Sequence, residues 1–211
     1  MNSIEPYSRW VKVAYCLRFL DIYEFLKNEF LLNVPFKISF KRSFYLPKWH
    51  PNADYRKEYV ARKDLGGGVL RTFSHEIDLV INWFGNPTSV TGLTDKIGFL
   101  EMNTDDFAFF SLKMDNGLRV NYEMDLYSPQ NINQGEAFTA KGKYTWNMDQ
   151  VTYCSYEEEQ EEVLFKSDSN ALNNMYDKQL RDFISFINNY ESRACSLEQA
   201  TKSIEIIEAI V

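Results

Sequence analysis

The sequence predicts an α+β fold, a two-layer sandwich in which helices cover one face of an open, largely antiparallel (mixed) sheet. Apolar residues recur at helical spacing near the start and at the end of the chain, whereas alternating apolar residues dominate its middle. The 16 Phe and 13 Tyr suit a wide sheet with packed faces. An order of helix, strand, helix, many strands and two helices is typical of α+β proteins.

The first half of the chain alternates between helix and strand patterns. An amphipathic helix is predicted over residues 18–32, and a half-buried strand over residues 36–40, where apolar and polar side chains alternate. A short helix is expected over residues 56–63. A glycine-led helix then runs to about Phe84, because Gly85 follows it with a proline two residues later.

The clearest hairpin spans residues 106–127. A two-residue turn would place Met114 opposite Arg119 and mix apolar with charged residues. A three-residue turn that ends at Gly117 places Met114 opposite Leu118 and collects the apolar residues on one face. We therefore expect the three-residue turn, with Gly117 at positive φ.

Further strands surround this hairpin, and two helices close the chain. The second of these helices begins with Ser196 and Gln199, a plausible capping box. The additional strands are predicted over residues 90–93, 97–102, 138–140, 144–147, 151–156 and 162–165.

Composition narrows the class of protein. The formal net charge of −7 argues against nucleic acid as a partner, because phosphate binding needs a basic surface. No apolar run approaches the length that spans a membrane, so no membrane association is expected. The three cysteines, Cys16, Cys154 and Cys195, are widely spaced, which favours a reduced, cytoplasmic setting over disulfides or a Cys-x-x-Cys metal site.

His75 is the strongest candidate for a catalytic residue. It follows the glycine triplet at residues 66–68 and lies with Asp78 and Asn82 on the side of the predicted helix away from its apolar stripe. Histidine is the usual acid/base group near neutral pH. The alternative is a histidine near a helix start, satisfied by local hydrogen bonds. No metal site is expected, because Leu79 stands where a His-Glu-x-x-His motif needs its second histidine.

A second group of residues could line a substrate pocket. An aromatic ring beside charged hydrogen-bond donors suits a sugar that carries a phosphate or carboxylate. An ordered surface loop explains the same residues equally well. The candidate substrate-binding residues are Arg18, Tyr45, Trp49, His50, Asp54, Arg56 and Thr72.

These motifs together resemble the C-terminal domain of the Gfo/Idh/MocA family of NAD(P)-dependent oxidoreductases. In that family a glycine triplet leads into a helix whose histidine lies beside the substrate and the nicotinamide. The resemblance implies an acid/base role for His75, and a hydrogen bond from Thr72 to a sugar hydroxyl where many members have an acidic residue. It also implies homo-oligomers formed through the open sheet face. The matching segments are residues 13–19, 45–51, 54–56, 66–78 and 174–183.

Two family motifs are absent from the chain, and their absence shapes the functional hypothesis. No Gly-x-Gly-x-x-Gly follows a strand, and no Glu-Lys-Pro occurs. We expect residues 1–11 to be a leader or the remnant of a linker from a missing Rossmann domain, and residues 12–211 to form the family's C-terminal domain.

The resemblance therefore implies the substrate-binding and oligomerisation half of a sugar or nucleotide-sugar oxidoreductase, inactive alone. The chain itself is expected to bind no cofactor, whereas NAD or NADP is implied for the complete enzyme, with a missing or separate Rossmann domain as partner. The alternative is a non-enzymatic module derived from such an enzyme, which binds a sugar ligand or mediates dimerisation.

Overall fold

A computed structural model of the protein describes residue 8 and residues 10–158, 160–189 and 191–211. Most of the predicted leader therefore lies outside the described residues. In chain order the elements are β1 (Lys12–Val13), α1 (Asp21–Leu32), β2 (Pro35–Tyr45), α2 (Val69–Thr72), α3 (Ser74–Phe84), β3 (Pro87–Asp95), β4 (Phe107–Met114), β5 (Arg119–Asp125), β6 (Tyr127–Thr139), β7 (Gly142–Trp146), β8 (Gln150–Ser155), β9 (Glu161–Lys166), α4 (Ala171–Asn189), β10 (Cys195–Ser196) and α5 (Leu197–Glu208).

Eight strands form one mixed sheet in the order β3-β4-β5-β2-β6-β7-β8-β9. Only the central pair β2 and β5 is parallel, and the other neighbours are antiparallel. The strands β1 and β10 pair separately as a short antiparallel ribbon. The predicted α+β class with a largely antiparallel, mixed sheet is confirmed.

The helices pack on one face of this sheet, and stacked aromatic rings fill the layer between. Phe40 on β2 stacks on Tyr122 on β5 with ring centroids 5.3 Å apart, and Tyr122 stacks on Phe110 at 4.4 Å. Phe30 on α1 contacts the ring of Trp146 on β7 at 6.2 Å. The opposite face is polar along its centre, since the Lys41 ammonium lies 2.6 Å from a carboxylate oxygen of Glu123 there. Burial of these rings away from water is the main stabilising term of the fold.

The β4–β5 hairpin has the three-residue turn that the apolar pattern predicts. Leu112 lies opposite Val120, and the amide of Met114 donates to the carbonyl of Leu118 at 2.9 Å. Gly117 has φ 88°, a conformation that costs glycine little because it has no Cβ. The turn prediction is confirmed.

The glycine triplet leads into two helical segments rather than one. The break lies at Phe73, whose φ of −101° and ψ of 25° are not helical, so α2 ends at Thr72 and α3 begins at Ser74. Gly67 allows the close approach that precedes this entry, because a Cβ there would overlap the carbonyl oxygen of Tyr59. The predicted end at Phe84 is confirmed.

Three local predictions differ from the structure. Residues 97–102 form no strand, because the Asp106 carboxylate accepts the amides of Ile97 and Gly98 and holds that segment as a loop. Residues 56–63 form short 3-10 turns instead of one helix, and α1 begins only at Asp21, after a 3-10 helix. Each difference lies in a segment without a sustained helical or strand period.

The closing helices agree with the prediction. The Ser196 hydroxyl accepts from the amide of Gln199, and the Gln199 side chain accepts from the Ser196 amide in return. Among the described residues, every helix is too short or too polar to cross a membrane.

Candidate functional site

A cleft of about 1000 Å³ opens where the start of α3 meets β2 and the ends of β6 and β9. Its walls carry hydrogen-bonding and aromatic side chains from six stretches of the chain. The lining includes Cys16, Arg42, Tyr45, Trp49, Thr72, His75, Glu76, Asn131 and Asn133.

His75 lies in the first turn of α3 and lines this cleft. Its Nδ1 atom is buried and has no hydrogen-bond partner among the described residues. The imidazole packs against the edge of the Tyr15 ring at 5.1 Å. Burial lowers the pKa of His75 below its ordinary 6.5, with nearby Asp78 acting in the opposite direction. His75 is therefore a neutral imidazole near pH 7, the form that accepts a proton.

Glu76 also lines the cleft, and its side chain is only 3% exposed. One carboxylate oxygen lies 3.4 Å from Nε of Arg42, and the other has no partner among the described residues. Burial raises the pKa of Glu76 to about 7, although the Arg42 guanidinium acts to lower it. Glu76, the residue after His75, was not predicted as a site residue, and its side chain lines the same cleft.

Arg42 reaches the cleft from β2 and is held by several contacts. Its guanidinium donates to Oδ1 of Asn131 at 2.6 Å and to the carbonyl of Ile132 at 2.9 Å. The ring of Phe73 lies beneath it at 4.9 Å. These contacts hold the guanidinium between β6 and the helix break, next to Glu76.

Three of the predicted substrate-binding residues line the cleft. The Thr72 hydroxyl donates to the carbonyl of Gly68 at 2.7 Å, so its hydrogen is already used and only its lone pairs are available to a ligand. Tyr45 and Trp49 form an aromatic wall, with Trp49 packed on the ring of Phe44 at 4.9 Å. The structure thus brings Tyr45, Trp49 and Thr72 together with His75.

Four other predicted residues lie outside the lining of the cleft. Asp54 and Arg56 pair with each other at the surface at 2.7 Å. His50 is exposed, and its Nδ1 lies 2.7 Å from a carboxylate oxygen of Glu58.

Arg18, the fourth, is buried, and its guanidinium donates twice to the carboxylate of Asp78 at 2.7 Å. Asp78, expected on the polar side of α3, is buried for this reason. The side of α3 away from its apolar stripe therefore faces other parts of the protein instead of solvent.

Arg42, Glu76, Asn131 and Asn133 were missed because each looks ordinary in the sequence. Arg42 follows the strand predicted over residues 36–40, where a polar residue reads as solvent-facing, and Asn131 lies between predicted strands. A signal was available for Glu76, because it directly follows His75 in the glycine-led segment. The register of β2 with β6, which pairs Arg42 with Asn133, is long-range information.

The described residues contain no group of three or more His, Cys, Asp and Glu side chains that could hold a metal ion. The three cysteines are free thiols.

Several solved oxidoreductases share the fold. An oxidoreductase from Thermotoga maritima superposes with a TM-score of 0.76 and 18% identity, over 95% of this chain and 59% of that one. Levoglucosan dehydrogenase in complex with NADH has a TM-score of 0.76 and 14% identity, over 94% of this chain and 62% of that one. UDP-N-acetylglucosamine 3-dehydrogenase from Acidithiobacillus ferrooxidans has a TM-score of 0.69 and 12% identity, over 93% of this chain and 58% of that one.

The chain spans about three-fifths of the length of these solved structures. No match was found among curated proteins. The family model described as the GFO/IDH/MocA C-terminal domain matches residues 37–145, which is more than half of the chain and includes most of β2, the glycine triplet, α3 and the central hairpin. The chain therefore belongs to the GFO/IDH/MocA C-terminal domain family of oxidoreductases.

Proposed function

We propose that residues 12–211 form the substrate-binding domain of an NAD(P)-dependent oxidoreductase that acts on a sugar or nucleotide sugar. The observation that carries the proposal is His75, a half-buried imidazole whose buried Nδ1 atom has no partner among the described residues, in a cleft of about 1000 Å³. A buried polar atom without a partner is rare in a folded protein and indicates a site that a ligand completes. The volume of the cleft is that of a large ligand pocket.

The lining of the cleft supports a sugar as the substrate class. Tyr45 and Trp49 supply apolar ring faces, whereas Arg42, Asn131 and Asn133 supply hydrogen-bonding groups. A sugar presents hydroxyl groups around an apolar ring face, so it needs both kinds of contact. Two of the similar structures are dehydrogenases of levoglucosan and of UDP-N-acetylglucosamine, which favours the same substrate class.

In this proposal His75 moves the proton of the reacting hydroxyl group. The nicotinamide supplies the hydride acceptor or donor when it is bound. During oxidation of a substrate alcohol, the neutral imidazole accepts the hydroxyl proton as the carbonyl forms. During reduction it returns that proton. The lowered pKa of His75 keeps the imidazole in its proton-accepting form near neutral pH.

The residues that would hold the dinucleotide are not evident in this chain. No Gly-x-Gly-x-x-Gly follows a strand, so we assign NAD or NADP binding to a Rossmann domain outside residues 12–211. The 211-residue chain alone is expected to bind substrate without oxidising it. Its three free thiols favour a reducing, cytoplasmic setting.

The second candidate is a non-enzymatic module that binds a sugar or mediates dimerisation. The observation that favours dimerisation is an exposed apolar pair on the open sheet face. Leu93 lies opposite Phe109, and the two side chains are 52% and 50% exposed. Exposed apolar surface of this kind is typical of an interface.

Sugar binding by the purified chain tests both candidates. We would titrate the 211-residue protein with UDP-N-acetylglucosamine and UDP-glucose by calorimetry. We expect Trp49→Ala to weaken binding about tenfold, through loss of an aromatic contact in the cleft. Tyr156→Ala is the control, because Tyr156 is an exposed aromatic residue outside the cleft.

Turnover then separates the two candidates. With a Rossmann domain of the family supplied separately, the oxidoreductase proposal expects NADH formation that His75→Gln abolishes while sugar binding persists. Binding that is never accompanied by turnover would favour the module. A wild-type chain that binds neither sugar nucleotide would contradict the proposed substrate class.

A further inference from the structure

Two buried carboxylates of α3 differ in how well they are paired. Asp78 accepts two hydrogen bonds from Arg18 and one from the thiol of Cys195. Glu76 has the Nε atom of Arg42 at 3.4 Å and a contact with its own backbone amide, and its second carboxylate oxygen has no partner among the described residues. Asp78 is thus satisfied within the protein and Glu76 is not.

An under-satisfied carboxylate at this degree of burial needs an explanation. A buried carboxylate without hydrogen bonds is costly, because it has lost water and gained nothing in exchange. The hydroxyl of Tyr122 does not supply the missing donor, because it donates to the backbone carbonyl of Glu76, at 3.3 Å, and not to the carboxylate. The carboxylate lies in the cleft, so a ligand is the available source of a donor.

The surroundings of Glu76 define the ligand group that fits. A carboxylate next to a guanidinium offers an acceptor and a donor side by side, and a hydroxyl group can use both. A carboxylate on the ligand would meet like charge from Glu76. The contacts of Arg42 with Asn131 and Ile132 hold the guanidinium in place, which makes Arg42 a positioning residue for Glu76.

We propose that Glu76 binds a hydroxyl group of the substrate, accepting its hydrogen bond through the carboxylate oxygen that has no partner in the protein. The inference rests on the proposed function. It assigns to the Glu76 carboxylate the selection of a neutral, hydroxyl-bearing part of the sugar. Glu76 thus recognises substrate in addition to the role proposed for His75.

Binding of the better of the two sugar nucleotides to matched variants provides the first test. Glu76→Gln keeps the shape of the side chain and removes its charge, so a charge-assisted hydrogen bond becomes a neutral one. We expect about a tenfold or larger rise in Kd. Glu123→Gln, the same substitution on the open sheet face, should leave Kd unchanged.

Proton release by the wild-type protein provides a second readout that needs no variant to fold. Near pH 7 the raised pKa of Glu76 leaves a fraction of this group protonated. A hydroxyl that donates to Glu76 favours the ionised carboxylate, so binding should release protons. Calorimetry in buffers of different ionisation enthalpy measures the number of protons released.

The groups that face Glu76 are Arg42 from β2, Tyr23 from α1, Tyr122 from β5, Cys16 and the adjacent His75.

Each outcome decides the inference. A raised Kd in Glu76→Gln, with proton release that this variant loses, supports it. Equal Kd in wild type and Glu76→Gln, or proton uptake on binding, overturns it while the proposed function stands. Absence of sugar binding by the wild type overturns the proposed function and this inference with it.

Discussion

At the scale of single residues, Glu76 should make the stability of the protein depend on pH. Its pKa is about 7 in the folded protein, against 4.5 as the ordinary value. Because the folded state retains this proton longer than the unfolded chain, the stabilisation is complete below about pH 4.5 and is lost as the pH rises through 7. The loss is on the order of 3 kcal/mol, at about 1.4 kcal/mol per unit of pKa.

Urea unfolding between pH 5 and pH 8 measures this effect. The wild type should lose stability across this range relative to Glu76→Gln, which has no group to titrate at that position. Glu123→Gln should follow the wild type. The contribution of His75 to this pH dependence has the opposite sign, because its lowered pKa makes the folded state lose stability as the pH falls. This contribution is the same in all three proteins and cancels in the comparison. Parallel curves for wild type and Glu76→Gln would contradict the assigned pKa.

Arg18 shows what a sequence can and cannot predict at this scale. Its charge made it a candidate for substrate binding, but its partner Asp78 lies 60 residues away on α3 and accepts two hydrogen bonds from its guanidinium, which also donates to Gln199. His75 and Thr72 were found because the glycine triplet marks their helix locally. Glu76 was missed because the absence of a partner is a property of the folded protein.

At the scale of elements, Gly67 should tolerate substitution less well than Gly66 at the start of the triplet. A Cβ at Gly67 would overlap the carbonyl oxygen of Tyr59, whereas a Cβ at Gly66 would meet nothing within 4 Å. Gly67→Ala must therefore move backbone and should cost about 3 kcal/mol or more of unfolding free energy. Gly66→Ala, at φ 77°, should cost about 1–2 kcal/mol.

Thermal and urea unfolding of the two variants compares the costs directly. If Gly66→Ala proved as destabilising as Gly67→Ala, positive φ and not close approach would dominate at this entry. The Gly67 substitution should also weaken sugar binding, since α2 and α3 carry Thr72, His75 and Glu76 into the cleft.

Elements with a sustained period were predictable, and those built by single polar contacts were not. The β4–β5 turn followed from the requirement that Leu112 and Val120 share a face. The segment at residues 97–102 has strand-like composition, yet two of its amide groups donate to the Asp106 carboxylate, and none of the described strands pairs with the segment. That outcome depends on one side chain nine residues away from Ile97.

At the scale of the whole molecule, the class of fold was predictable and the strand order was not. Alternation and helical stripes establish two layers with helices on one side. The parallel pairing of β2 with β5 in the middle of the sheet arises from contacts between residues more than 80 positions apart, such as Ile38 and Val120. The same pairing positions Arg42 beside α3, so the cleft depends on a feature that local patterns do not encode.

The open face of the sheet leads to the last prediction, a homodimer. Leu93 and Phe109 form an exposed apolar pair there, beside the paired charges of Lys41 and Glu123. In a two-fold symmetric dimer the same patch occurs on both copies, so one substitution changes the interface twice. Phe109→Glu should therefore place two like charges at the contact and shift the sedimenting mass from that of two chains to that of a single chain.

The control is Ile187→Glu, because Ile187 is an equally exposed apolar residue on α4, and this substitution should leave the dimer intact. A wild-type protein that sediments as a monomer at micromolar concentration would contradict the prediction, and loss of the dimer only in Ile187→Glu would move the interface to the helical layer.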